Sequence, residues 1–261
     1  IYPWIRTLVK MNKAFTVNRG LSPKENLRSS IHMSQYMHFA IQQKRENIWI
    51  AHREGRAKDS NDRTQESVLK MLTLGGPHEG RSTRDIIENI KDMNIVPLSI
   101  SYEYDPCDYL KAQEFQQKRD IAGWKKSKQD DLTNMKVGIF GKKGHIHYET
   151  SPCINEWLDS LDADSIQKTD IFRLIAEHID KEIHKNYKIY PANRLALAEL
   201  DGNDAVVKGL TDKDRESFNE YLADKISKVR VDNPDERFLR TKILEMYANP
   251  LRNKMSNTDV L

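Results

Sequence analysis

Apolar residues recur at helical spacing along some stretches of the chain and gather into short runs at others. Ser22-Pro23-Lys24-Glu25 carries a serine and a glutamate spaced as a reciprocal cap, with proline at the first helical position. The pattern behind it predicts a helix to about Arg45, with Leu27, Ile31, Met37 and Ile41 on its inner face. Residues 14–18, Ala-Phe-Thr-Val-Asn, read as a short strand closing on Arg19-Gly20, and Ile48–Ala51 reads as a second. Asp62 and Gln65 are spaced as another cap, opening a helix through Leu72 that Gly75-Gly76-Pro77 ends. A helix over Ser82–Asp92 leads into the apolar run Ile95–Ser101, read as a buried strand. Residues 109–135 read as one charged helix, and Lys136–Phe140 with His145–Glu149 as a hairpin turning around Gly141 and Gly144. Ile171, Leu174, Ile175, Ile179 and Ile183 predict a helix from about Ser165 to Lys185. Beyond Pro191 the pattern is helical and highly charged, with helices near 211–229 and 234–247.

Strand and helix patterns that alternate predict an α/β fold, with a mainly parallel sheet and helices on both faces. The expected organisation is an α/β domain over residues 1–190, its N-terminal part missing, and a helical C-terminal extension over 191–261. No internal repeat or low-complexity tract interrupts it.

Composition narrows the function classes. At 261 residues with a formal net charge of +3, nothing in the overall balance demands a nucleic-acid partner. The basic excess is concentrated at the front, where residues 1–70 hold 13 Lys/Arg against 6 Asp/Glu. Such a face suits anionic lipid, a phosphorylated substrate or an acidic carrier protein. The two cysteines, Cys107 and Cys153, show no metal-ligand spacing and fit a reducing cytoplasm with inert thiols. No apolar run approaches the roughly 18 residues that span a bilayer.

The densest chemistry lies just after Ile48–Ala51, where a loop carries Arg53, Arg56, Lys58 and Arg63, with Glu54 and Gly55 at the joint. Cations clustered at a strand's carboxyl end are how α/β folds place a phosphate site. Arginine suits it because its planar fork binds phosphate oxygens two at a time.

Three pieces, in order, resemble the glycerol-phosphate and lysophospholipid acyltransferase superfamily. Phe15-Thr-Val-Asn-Arg19-Gly20 is similar to the family's second block, an apolar strand closing on arginine. Arg53-Glu54-Gly55-Arg56 is similar to the third block, Glu-Gly followed closely by arginine. Ile95-Val96-Pro97-Leu98 is similar to the fourth, an apolar strand centred on proline, and the longer run Val96–Leu110 looks like the glycerol-3-phosphate acyltransferase-like branch found in bacteria. The resemblance covers roughly residues 1–155. It implies transfer of a fatty acyl group from a thioester carrier, acyl-CoA or acyl-carrier protein, to the hydroxyl of glycerol-3-phosphate or a lysophosphatidic acid, with no cofactor. By matched position, Arg19 and Arg56 would bind the acceptor phosphate, while Glu54 and Gly55 would shape the loop and orient the acceptor. Pro97 and its neighbours would help line the acyl channel. Lys58 and Arg63 have the right chemistry for phosphate on a looser match. The substrates imply a protein on the cytoplasmic face of the cell membrane, peripheral to it. Tyr2, Trp4, Ile5 and Leu8 beside Arg6 and Lys10 form a candidate contact.

The sequence departs from the family at the first block, His-x-x-x-x-Asp, whose histidine is the general base and whose aspartate orients it. None of the eight histidines is followed five residues later by an acid. The block is therefore expected upstream of Ile1, no catalytic residue is assigned here, and the chain alone is expected to be inactive. The competing reading is a non-catalytic module that only holds a lipid phosphate. A third reading, nucleic-acid binding through the basic front, lacks aromatic residues interleaved with cations. His52 beside the basic loop is a substitute base without a carboxylate at the family's spacing. His145 and His147 share a strand face without an evident third metal ligand, so no metal site is assigned.

Overall fold

The computed structural model describes residues 7, 9–15, 20–53 and 58–257. Besides a helical stretch at residues 9–11 and a 3-10 turn at Asp204–Val207, ten α-helices and two short strands are described in full. In chain order they are α1 (Pro23–Gln42), α2 (Glu66–Thr73), α3 (Thr83–Lys91), β1 (Leu98–Tyr102), α4 (Asp108–Asp120), α5 (Lys128–Phe140), β2 (Ile146–Thr150), α6 (Asn155–Asp159), α7 (Ile171–Lys185), α8 (Pro191–Asp201), α9 (Asp212–Ser227) and α10 (Glu236–Ser256).

The predicted mainly parallel α/β sheet is not formed. The protein is mostly helical, and the one sheet among the described residues is a two-stranded antiparallel pair. Its register sets Leu98 opposite Thr150, Ile100 opposite Tyr148 and Tyr102 opposite Ile146. Ile48–Ala51 lies in irregular chain with no ladder partner, Trp49 and Ile50 exposed and Ile48 alone packed on the core. An apolar run of four cannot hold a strand without neighbours to take its backbone hydrogen bonds. The expected hairpin of Lys136–Phe140 with His145–Glu149 is also absent, because Lys136–Phe140 completes α5 and β2 pairs with β1 instead. That helix begins at Ser127, whose hydroxyl and the Asp130 carboxylate cap each other's backbone. The same cap splits the single helix expected over 109–135 into α4 and α5. The strand expected at 14–18 falls largely outside the described residues.

Other elements follow the pattern closely. Ser22 and Glu25 form the reciprocal cap that opens α1, and Ser82 with Asp85 forms another at α3. On α1 the buried side is Ser34, Met37, His38 and Ala40, whereas Leu27 is exposed. Gly75 ends the α2 segment against α1 so closely that a Cβ there would lie 2.4 Å from the Gln35 amide nitrogen. No larger residue fits without moving a helix.

Two hydrophobic clusters carry the fold. The first joins Met37 of α1, Leu69 and Leu72 of α2, Ile86, Ile87 and Ile90 of α3, Leu158 of α6 and the isoleucine stripe of α7. The second joins α8, Phe218 and Leu222 of α9, and Leu239, Ile243 and Leu244 of α10, and it takes in Ala112 of α4. Where α4 meets this second cluster, fully buried Asp108 accepts from the Tyr221 and Tyr247 hydroxyls and pairs with Lys225 at 3.3 Å. Burial pushes the Asp108 carboxyl above its ordinary value, against the pull of Lys225.

Candidate functional site

The segment 58–65 that follows the basic joint has no regular structure of its own and is fixed by side chains of α7 and α10. Thr64 is its deepest point. Its amide and its hydroxyl both donate to Asp180 Oδ1 of α7, at 2.8 and 2.6 Å. With its one proton given to Asp180, the Thr64 hydroxyl accepts from His52 Nδ1 at 3.1 Å. The Gln65 amide donates to the His52 carbonyl at 2.9 Å, which ties the two ends of the loop together. The result is a carboxylate–hydroxyl–imidazole chain in which Asp180 fixes the ring orientation of His52 through Thr64.

One turn along α7 from Asp180, His184 supports the same loop. Asn257 donates to its Nδ1 at 3.0 Å, so Nε2 carries the proton and faces the Asp62 carbonyl at 3.3 Å. Burial chiefly, with the nearby Arg63 charge, holds this imidazole below its ordinary value. From α10, Asn249 donates to the Asp59 carbonyl at 2.7 Å, and Asn253 accepts from Arg63 Nη2 at 3.0 Å. Asp62 does not cap α2 as expected. Its carboxylate takes Arg53 Nη1 at 3.1 Å, and Gln65 stands at the N-cap with no side-chain hydrogen bond capping the helix.

The cations predicted from sequence therefore have distinct surroundings. Arg53 and Arg63 are held on the loop by Asp62 and Asn253, and Arg53 Nε is buried without a partner among the described residues. Lys58 reaches across to Glu114 of α4, which Lys118 also contacts at 3.0 Å, so two cations share one acid. Burial lowers Lys58, with Lys118 adding to the effect against the pull of Glu114. Burial alone would raise Glu114, yet the bonds from Lys58 and Lys118 outweigh it and hold the carboxyl below its ordinary value. Arg19, Glu54, Gly55 and Arg56 lie outside the described residues, as does most of the front segment proposed to meet the membrane.

Pro97 is buried at the entry to β1, and its carbonyl accepts from the Ser151 amide at 2.9 Å. Beyond it the two faces of the strand differ. Ser99 and Ser101 are buried against the end of α7, bonded to the Asn186 carbonyl and the Lys188 amide. Leu98, Ile100 and Tyr102 point the other way beside Tyr148 and Ile146, an apolar face that no element among the described residues fully covers. The C-terminal half of α7 thus serves both regions, with Asp180 and His184 turned to the loop and Asn186 to the sheet.

His145 and His147 each meet a carboxylate, Glu103 at 2.7 Å and Glu149 at 2.8 Å. No group of three metal-ligating side chains occurs among the described residues. A surface cleft lined by Leu195, Glu199, Asp204, Arg215 and Phe218 lies within the second cluster and contains none of the predicted site residues.

Thr64, Asp180, His184 and Asn253 were not legible as site residues. The available signal was Asp180 and His184 at i, i+4 beside the isoleucine stripe of α7, a polar pair where a purely packed helix would carry apolar side chains. In comparisons with known proteins no family model, no curated protein and no solved structure matches the chain, so its function is argued from its own residues.

Proposed function

We propose that the chain is part of an O-acyltransferase that moves a fatty acyl group from a thioester donor, acyl-CoA or acyl-carrier protein, to the hydroxyl of glycerol-3-phosphate or a lysophosphatidic acid. The observation that carries the reading is the anchoring on both sides of residues 54–57. His52 and Arg53 on one flank, and Asp59, Asp62, Arg63 and Thr64 on the other, are held by α7, α10 and each other. Arg56 sits in the sequence between these fixed flanks, with Arg53, Lys58 and Arg63 nearby in the chain. Cations such as Arg53 and Arg63, already fixed on the flanks, would lose little freedom on binding a phosphate dianion. The partly exposed face of Leu98, Ile100 and Tyr102, immediately after Pro97, has the apolar chemistry an alkyl chain needs for a wall.

In the reaction, the acceptor hydroxyl oxygen attacks the thioester carbonyl, the carbon–sulfur bond breaks, and the hydroxyl proton passes to a base while the thiol leaves. The arginines hold the phosphate and so fix where the hydroxyl lies. The base is assigned to none of these residues, because no histidine here begins a His-x-x-x-x-Asp. That same observation favours a second reading, a module that binds a lipid phosphate without transfer.

The test is acyl transfer to glycerol-3-phosphate and to lysophosphatidic acid by the protein that carries this chain, with and without Arg56→Ala. The loss of one charge-assisted phosphate contact, about 1.5–3 kcal/mol, corresponds to roughly a ten- to hundredfold rise in acceptor KM. The isolated 261 residues are expected to transfer nothing. No transfer by the whole protein, but lysophosphatidic acid binding that Arg56→Ala weakens, would establish the binding module instead.

A further inference from the structure

Helix α5 is exposed along most of its length, with only Asn134, Val137 and Gly138 partly covered by the protein, and its larger apolar side chains stand in solvent. Toward the body, the Asn134 carbonyl accepts from the Cys107 thiol at 3.4 Å, and a Cβ on Gly138 would meet the same sulfur at 3.5 Å. The crevice between α4 and α5 is lined by Leu110 and Trp124 as well as by polar groups, among them Gln113, Gln117, Asp130 and Thr133. None of the helix's residues is buried. On the outer side Leu132, Met135 and Ile139 recur at i, i+3 and i+7, 54%, 49% and 65% exposed, and Phe140 at the end is 81% exposed. A capped helix that leaves four large apolar side chains in solvent marks a surface for something else.

The charges around the stripe identify what that is. Six lysines and two aspartates lie between Trp124 and Lys143. Asp130 is used by the helix cap, and Asp131 takes Lys126 at 3.2 Å. Lys143 donates to the Ile139 and Gly141 carbonyls, closing the helix's C-terminal end. Lys125, Lys128, Lys136 and Lys142 have no ion-pair partner among the described residues. Lys128, Leu132, Lys136 and Phe140 follow at i+4 spacing, so unpaired ammonium groups alternate with the apolar side chains. The core of a protein interface is depleted of lysine, and a second copy meeting this face would set like charges together. A bilayer interface accepts both parts, burying the apolar stripe while the lysine stems reach up to headgroup phosphates.

We infer that α5 is a membrane-contact helix that lies flat in the surface of an anionic bilayer. Leu132, Met135, Ile139 and Phe140 enter the acyl boundary, and Lys125, Lys128, Lys136 and Lys142 meet the headgroups. The inference deepens the membrane-peripheral reading above and rests on it for its setting. Its test reads binding and not transfer, so the two can fail separately.

The experiment is co-sedimentation of the 261-residue chain with phosphatidylcholine vesicles, with and without phosphatidylglycerol. The parent binds the anionic vesicles, and Leu132→Ser, Ile139→Ser and Phe140→Ser together lower partitioning at least about tenfold. Lys128→Gln and Lys136→Gln each weaken it about fivefold at low salt, and added salt erases that difference. In Phe140→Trp the new indole shifts to the blue on vesicles and is quenched by bromolipid. Binding by the triple serine variant equal to that of the parent overturns the inference, as does absence of binding by the parent. A dimer that the serine variant dissolves, with vesicle binding unchanged, would assign the face to a second copy and overturn it too.

Discussion

Helices α7 and α5 are of similar length, each carries apolar residues at helical spacing, and they are set in opposite ways. The stripe of α7 faces inward, with Ile171 and Ile175 at 0% exposure in the centre of the first cluster. The stripe of α5 faces outward, and its helix is held by a cap, a thiol contact and small residues. Periodicity tells which side chains share a face. It does not tell what that face meets. The inward stripe of α7 contributes stability and, through Asp180 and His184 at its border, carries the loop on which the phosphate site is proposed. The outward apolar side chains of α5 contribute little to the fold.

The contrast is tested most strongly by the same truncation on the two helices. Ile175→Ala leaves a cavity in a site already closed on all sides and is expected to cost about 2–5 kcal/mol in urea unfolding. Ile139→Ala is expected to stay within about 0.5 kcal/mol. Equal costs would mean that the stripe of α5 is packed after all. A smaller effect comes from Asp180→Ala, which leaves the buried Thr64 amide and hydroxyl without their acceptor and is expected to cost about 1–3 kcal/mol. Faster amide exchange in 58–65 than in α3 would locate that loss in the loop, and uniform exchange would refute the anchoring.

The smallest effect is a slope with pH. His184 has its folded value depressed below 6.5, so the unfolded chain binds the proton more readily. Its contribution is complete above the ordinary histidine value and is lost as pH falls from about 6.5 through the depressed one. His184→Gln should flatten stability against pH in that window relative to the parent. An unchanged slope would show that the loop does not depend on a neutral imidazole.

Local signals were legible wherever a side chain bonds its own neighbourhood. The pairs Ser22 with Glu25 and Ser82 with Asp85 start helices where the spacing predicts, and Gly75-Gly76 ends one. Ser127 with Asp130 carries the same signal, which outweighs the strand-like apolar run after it. Ile48–Ala51 shows the converse limit, since a strand exists only if another strand pairs with it, and no property of four residues supplies one. Of the candidate site, Arg53, Lys58, Arg63 and Pro97 could be named in advance, but their partners Asp62, Glu114, Asn253 and Ser151 could not. Glu114 and Asn253 stand on helices that approach the loop only after folding.

By itself, the sequence determined where the capped helices α1, α3 and α9 start, which residues they bring to one face, and where cations are dense in the chain. These depend on interactions within a few residues, which the chain cannot avoid making. Only the tertiary structure decided that β1 pairs with β2, that Asp180 reaches His52 through Thr64, and that α5 turns its apolar stripe outward. Those outcomes depend on which distant surfaces meet, and each is a competition among contacts across the whole chain that no local pattern records.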